Sequence, residues 1–265
     1  MLWVDQVSVS LANNKILDRI DLQALPGEVT VIIGPNGSGK STLMRAMSGD
    51  IPYEGKILLN GHDIQMLKPW DLASKRAVLP QKSILAFPFT VEEVVHIGLR
   101  NGIGAQTTKI IYDALSSVGL SAYAQRQYAE LSGGEQQRVQ LARVLAQVWT
   151  PYEMGQARWI FLDEPVSSLD IAHQIEVINI AREYARSGGG VIAIMHDLNL
   201  TSMVADKIAI LHQGKTLCQG VPKDVMTDNW LSHAYECDLR VNTSPKTPAT
   251  YILPHLANTH KKKVN

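Results

Sequence analysis

Cysteine is scarce in this 265-residue chain: Cys218 and Cys237 are the only two, and they form no C-x-x-C pair. Two are too few for a disulfide framework. Excess charge of one sign is also missing, because 25 lysines and arginines balance 25 aspartates and glutamates. No global field would therefore draw the chain onto nucleic acid or anionic lipid. The longest apolar runs, such as 29–33 and 191–195, are strand-sized, well short of the roughly 20 residues needed to cross a bilayer. The N-terminus has no basic segment ahead of an apolar core, and Asp5 comes early, so a secretory signal is not expected. What is present is 45% hydrophobic and 19% charged residues in 29.2 kDa. That balance predicts a folded, soluble, cytosolic chain with one large domain or two small ones.

Repeats and extended low-complexity tracts are absent. Short β-type runs come first, at 2–9, 29–33 and 56–59, the last ahead of the tight-turn dipeptide Asn60-Gly61. From about 90 to 146 the pattern turns helical. Val91, Val94, Val95 and Gly98 share one face, as do Ile110, Ile111, Ala114, Leu115 and Val118. Strand-like segments resume at 159–162, 191–195 and 207–211, and 208–211 with 216–219 reads as a hairpin across His212-Gln213-Gly214-Lys215. Single strands alternating with helices predict a mostly parallel α/β sheet, with the central helical block inserted as a subdomain. Residues 258–265, including Lys261-Lys262-Lys263, read as a frayed, solvated tail.

Three segments carry chemistry. Gly34-Pro35-Asn36-Gly37-Ser38-Gly39-Lys40-Ser41, followed by Thr42, fits G-x-x-x-x-G-K-[ST], with a β-branched strand before it and a helix-forming run after it. Glycines let successive N–H groups face one anion, and the helix N-terminus adds its partial positive charge. Lys40 is expected at the β- and γ-phosphates and the Ser41 hydroxyl on Mg²⁺. Downstream, an apolar strand ends in Asp163-Glu164. There the aspartate can hold the Mg²⁺ hydration shell and the glutamate can polarise an attacking water. Read alone, this would be a solvated strand end. The third segment, Leu131-Ser132-Gly133-Gly134-Glu135-Gln136-Gln137-Arg138, opens a helix. Ser132 and the glycine amides could bind a second anion, or Ser132 could be an ordinary N-cap with Glu135 as its capping-box partner.

In this order the three segments resemble the nucleotide-binding subunit of an ATP-binding cassette (ABC) transporter, over about residues 1–240. The resemblance implies a P-loop NTPase (RecA-like) core at about 1–85 and 155–240, an N-terminal antiparallel β region, a helical subdomain at about 86–154 and a C-terminal extension at 241–265. It also implies roles for further residues. Gln81 matches the glutamine that ligates Mg²⁺ and senses the membrane subunit. Asp170, in Ser167-Ser168-Leu169-Asp170, matches the loop that crosses to a partner copy. His196 matches the switch histidine near the γ-phosphate, although a lone histidine after an apolar strand would otherwise be read as structural. The implied catalytic set is Glu164, His196 and Lys40, the implied metal ligands are Ser41, Gln81 and Asp163, and the cofactors are ATP and Mg²⁺.

The stretches 76–81 and 85–95 look like the heme, iron-siderophore and vitamin B12 importers, and most like the heme importers. Without that likeness Phe87 and Phe89 read as plain core residues. The resemblance implies a head-to-tail pair of copies on two membrane permease subunits, at the cytoplasmic face of the bacterial inner membrane. A periplasmic heme-binding protein would act only indirectly. Nucleic acid is not an expected partner. A siderophore or cobalamin importer remains open, as does a soluble cassette ATPase acting on ribosomes or DNA. A phosphate-loop small-molecule kinase would leave the 131–138 segment and Gln81 unexplained. Two departures stand out. No aromatic residue lies near Leu11, where the family stacks one on the adenine, and Val166 stands where a threonine is common.

Overall fold

The structure, a computed structural model, describes residues 1–12, 14–81, 85, 87–99, 105–244, 250 and 252–256. It opens with β1 (Leu2–Leu11), β2 (Asn14–Ala24), β3 (Val29–Ile33), α1 (Lys40–Met47), β4 (Glu54–Leu59), β5 (His62–Asp63), α2 (Pro69–Lys75) and β6 (Arg76–Leu79). The helical block follows as α3 (Val91–His96), α4 (Ala105–Ser117) and α5 (Gly133–Gln147). A two-stranded ribbon, β7 (Tyr152–Glu153) and β8 (Gln156–Ala157), leads to β9 (Trp159–Asp163), α6 (Ile171–Arg186), β10 (Gly190–Ile194) and α7 (Leu198–Val204). The chain then runs through β11 (Lys207–His212), β12 (Lys215–Gly220), α8 (Pro222–Val225) and α9 (Asp228–Tyr235).

Two larger sheets result. One is antiparallel, in the order β2-β1-β4-β5, and the other has the order β12-β11-β3-β10-β9-β6, parallel except for the β11–β12 hairpin. This is the expected α/β architecture: a mostly parallel P-loop NTPase core, an N-terminal antiparallel β region and a helical insertion. Parallel neighbours far apart in sequence, such as β6 and β9, require a long crossover, and the helices supply it.

Alternation along each parallel strand feeds two cores. Ile32, Phe161, Ile192 and Ile194 face α1 and the antiparallel sheet, whereas Val31, Ile33, Ile160, Leu162, Val191 and Ala193 face the remaining helices. Both faces are therefore covered, which is why these strands read as unbroken apolar runs. Each fully buried Ile or Val contributes roughly 1.5–3 kcal/mol relative to exposure. Within the helical block, Val91, Val94 and Val95 and then Ile111, Ala114, Leu115 and Val118 are buried as the periodicity predicts. Gly98 belongs to that face because a Cβ there would sit 2.2 Å from the Arg143 carbonyl oxygen, so only glycine lets α5 approach the end of α3.

Some expectations change. The 11-residue β2 did not stand out in the sequence, because a register shift and the left-handed Arg19 (φ 52°) interrupt its period of two. The short ribbon β7–β8 went unread for want of length. Phe89 packs against the core, but Phe87 is 71% exposed and is no core residue. Val166, the replacement for a common threonine, is buried in the core. The lysine run 261–263 and the rest of the 258–265 tail lie outside the described residues.

Candidate functional site

The phosphate loop is the turn between β3 and α1, and strand crowding dictates its glycines. Gly34 has φ 146°, and a Cβ there would lie 2.0 Å from the Leu211 carbonyl oxygen on neighbouring β11. Gly39 takes the N-cap of α1 at φ 100° with Leu17 against it, whereas Gly37 turns at φ 79° in open space. Lys40 is buried, and its Nζ donates to the carbonyls of Gly34 and Pro35, both at 2.9 Å. Loop and hairpin are tied together, since the Gly214 N–H donates to the Ser38 carbonyl. The Ser38 hydroxyl is buried without a hydrogen-bond partner, an unused donor inside the loop. Pro35, Asn36, Ser41 and Thr42 complete the loop rim, with Asn36 and Ser41 exposed.

Beside the loop, β9 and β10 run parallel with Asp163 opposite Ile194, so their C-terminal ends stop at one level. Asp163 is buried there, with the Ser41 Oγ 3.5 Å from its Oδ1. Glu164 turns out of the strand in a left-handed conformation (φ 53°), and its N–H donates to the Ile194 carbonyl. That turn brings its Oε1 within 2.6 Å of the Nε2 of His196, two residues beyond β10. With Glu164 ionised, Nε2 carries the proton, and the contact orients carboxylate and imidazole on each other. The Gln137 amide of α5 donates to the Glu164 carbonyl, which pins the same turn from the helical side.

The charges in this pocket act on one another. Burial pushes the Lys40 ammonium below its usual range, with Glu164 and Asp163 partly restoring it. Burial, then the neighbouring Glu164 charge, raises the Asp163 carboxyl. The native state therefore holds this proton more readily than the unfolded chain. As pH rises from the ordinary aspartate value through the raised native value, native stability falls. Asp163→Asn, which removes the buried charge, should accordingly raise the unfolding midpoint of the nucleotide-free protein, and more so above that pH window than below it. Calorimetry checks this, and a lowered midpoint would contradict it.

The structure thus brings Lys40, Ser41, Asp163, Glu164 and His196 together beside the phosphate loop. Ser132 caps α5 in a full capping box with Glu135, and its hydroxyl donates to Glu135 Oε2 at 2.8 Å. Gly133 is exposed, and a Cβ on Gly134 would press on the Ser168 carbonyl and Leu169 at 3.3 Å. Asp170 caps α6 and accepts from both the His173 N–H and its Nδ1. Gln81 lies exposed just past β6. Among the described residues, no hydrogen bond joins Ser132, Gly133, Gly134 or Asp170 to the phosphate loop. Leu11, beside which the family resemblance would place the base, is exposed, and Ile16 and Leu17 approach Gly39, all aliphatic. Sequence reasoning missed Gln137, which it had only as part of a motif, and Tyr235. The Tyr235 hydroxyl accepts from the Gly34 N–H across 201 positions, a separation at which no local pattern signals contact.

Known proteins share this construction. Residues 17–167 match the family described as ABC transporter. The chain is 60% identical over 257 residues to the hemin import ATP-binding protein HmuV of Jannaschia sp. (strain CCS1), covering 97% of this chain and 95% of that one. It is 59% identical over 252 residues to the protein of the same name from Roseobacter denitrificans, covering 95% and 97%. A solved ATP-binding subunit of an ABC transporter superposes with a TM-score of 0.76 at 22% identity, over 90% of this chain and 94% of that one. The ATP-binding cassette MJ1267 in its ADP conformation gives 0.77 at 23%, over 89% and 98%, and at such identities the likeness is one of fold. With more than half of the chain matched by the family and near-complete coverage of relatives at about 60% identity, the chain belongs to the ABC transporter family, as its ATP-binding and ATP-hydrolysing component.

Proposed function

We propose that this protein powers hemin import across the bacterial inner membrane, as a pair of copies seated on two permease subunits at the cytoplasmic face. What carries the ATPase half of this reading is the Glu164–His196 contact at 2.6 Å beside the Lys40 loop. For the cargo, the support is the hemin import proteins that match almost end to end at 59–60% identity. Among the described residues no group of three or more His, Cys, Asp or Glu could hold a metal ion, and no helix is long and apolar enough to cross a membrane. Cargo recognition is assigned to the permease and to a periplasmic heme-binding protein, the latter reaching this chain only indirectly.

In the proposed mechanism Gly34–Thr42 cradles the phosphates, Lys40 neutralises them, and the unpartnered Ser38 hydroxyl donates into the cradle. Mg²⁺ fits the hard oxygen donors present: Ser41 Oγ, the buried Asp163 carboxylate and the exposed Gln81 amide would hold it, and it would supply charge neutralisation at the phosphates. Glu164 orients a water and takes its proton as the γ-phosphoryl leaves. His196, held by Glu164, presents its imidazole to the γ-phosphate end. Ser132, Gly133 and Gly134 of one copy are assigned to the phosphate loop of the other, with Asp170 at the crossing. The exposure of Ser132, Gly133 and Asp170, and the lack of hydrogen bonds from all four to the loop of their own chain, favour that arrangement. A γ-phosphate bound between two anion sites joins the copies, and hydrolysis removes the bridge.

The test is ATP hydrolysis by this chain with its co-purified permease, against binding proteins loaded with heme, a siderophore or cobalamin. Stimulation by the heme-loaded protein alone is the expected outcome. Stimulation only by another cargo would discard the hemin assignment while leaving the ATPase intact, and lack of any membrane partner would discard the importer reading.

A further inference from the structure

Gly34, the first residue of the phosphate loop, lies one step past the β3–β11 ladder, which ends at Ile33 opposite Ile210. Its N–H therefore has no strand partner, and it donates instead to the Tyr235 hydroxyl at 3.2 Å. Its carbonyl accepts from Lys40 Nζ at 2.9 Å, so both backbone polar groups of Gly34 are held by side chains.

Tyr235 is itself firmly placed. It is the last residue of α9, a helix capped at its start by the Thr227 hydroxyl and ended by Glu236 in the left-handed conformation (φ 56°). The residue before it, Ala234, is fully buried, and its carbonyl meets His212 Nδ1 at 3.0 Å from the end of β11. The segment after α9 is tied back as well, because the Asp228 carboxylate accepts from the Val241 N–H and from Arg240. Burial pushes the phenol up, so the hydroxyl stays neutral and can accept from an amide.

We propose that Tyr235 is a positioning residue for the nucleotide: by fixing the Gly34 amide it pre-organises the phosphate loop and couples α9 to nucleotide occupancy. A loop with three glycines at positive φ has many relaxed alternatives, and holding its first residue from both sides lowers the ordering cost of binding. By reciprocity, nucleotide on the loop must steady α9 to the same extent. The competing account is a half-buried tyrosine that merely satisfies its own hydroxyl.

The proposal rests on the ATP reading of the loop, and the experiment separates the two. The full chain is titrated with the fluorescent analogue mant-ATP as wild type and as Tyr235→Phe, with thermal unfolding and steady-state ATPase measured in parallel. Loss of one neutral hydrogen bond should raise Kd and the KM for ATP about fivefold, with kcat moved by a smaller factor. A Kd equal to wild type overturns the proposal, even if the unfolding midpoint drops, because that is the pattern of a purely structural hydroxyl. Should Tyr235→Phe fail to fold, His212→Gln, which loosens the turn carrying Tyr235, must raise Kd in the same direction, and an unchanged value overturns the proposal equally. Failure of the wild type to bind mant-ATP would instead overturn the nucleotide reading itself.

Discussion

Glu164→Gln should lower the ATPase kcat by about 10²–10⁴-fold, the usual weight of a general base, while leaving ATP binding in place. The substitution is nearly isosteric, and the amide oxygen can still accept from His196 Nε2, the contact now made at 2.6 Å by Glu164 Oε1. What an amide cannot do is accept the proton of an attacking water. The fold should tolerate the change, because the strained turn at φ 53° is held through the backbone of Glu164, whose N–H donates to Ile194 and whose carbonyl accepts from the Gln137 side chain. Single-turnover hydrolysis and mant-ATP titration on the same preparation decide the matter. Wild-type turnover in the variant would falsify the role assigned to Glu164.

Gly34→Ala should be the most damaging of the loop substitutions, with a loss of about 4 kcal/mol or more and a fall of roughly 10 °C in the unfolding midpoint. Its new Cβ would stand 2.0 Å from the Leu211 carbonyl oxygen and 3.1 Å from the carbon behind it. Neither is a flexible side-chain end. Leu211 pairs with Thr216 in the β11–β12 hairpin, and Ile210 just before it pairs with Ile33, so relief requires parting β11 from β3. The φ of 146° adds backbone strain. Gly37→Ala is the informative control, because φ there is 79° but a Cβ meets nothing within 4 Å. It should cost only the left-handed backbone penalty of roughly 1–2 kcal/mol. Similar melting curves for the two variants would show that crowding by β11 is not what demands glycine at position 34.

The contrast between those glycines marks how far the sequence can be read. The pattern of the loop names both positions but ranks neither, since the atom that crowds Gly34 arrives from residue 211. Local signals did place β3 at its observed bounds, the buried faces of α3 and α4 and the 212–215 turn, because period, β-branching and turn residues act over a few neighbours. They were weaker where the strand is irregular. Ile20, Leu22 and Ala24 alternate inward in β2, but the left-handed Arg19 shifts the phase before them. Phe87 shows the opposite failure: an aromatic beside a helical block reads as core, and only the surrounding chain leaves it in solvent.

Residue types and their order determined the chemistry. A glycine-rich turn before Lys40, an apolar strand ending in Asp163-Glu164 and a later strand ending near His196 suffice to name a nucleotide site, because each needs only its own local geometry. Tertiary structure decided how these pieces meet. Parallel pairing of β9 with β10 sets Glu164 against His196, α5 reaches that turn through Gln137, and α9 returns to hold Gly34 through Tyr235. Contacts of that range depend on which strands become neighbours and where each one stops, and that is settled when the two cores pack on either face of the sheet, not by any stretch of sequence alone.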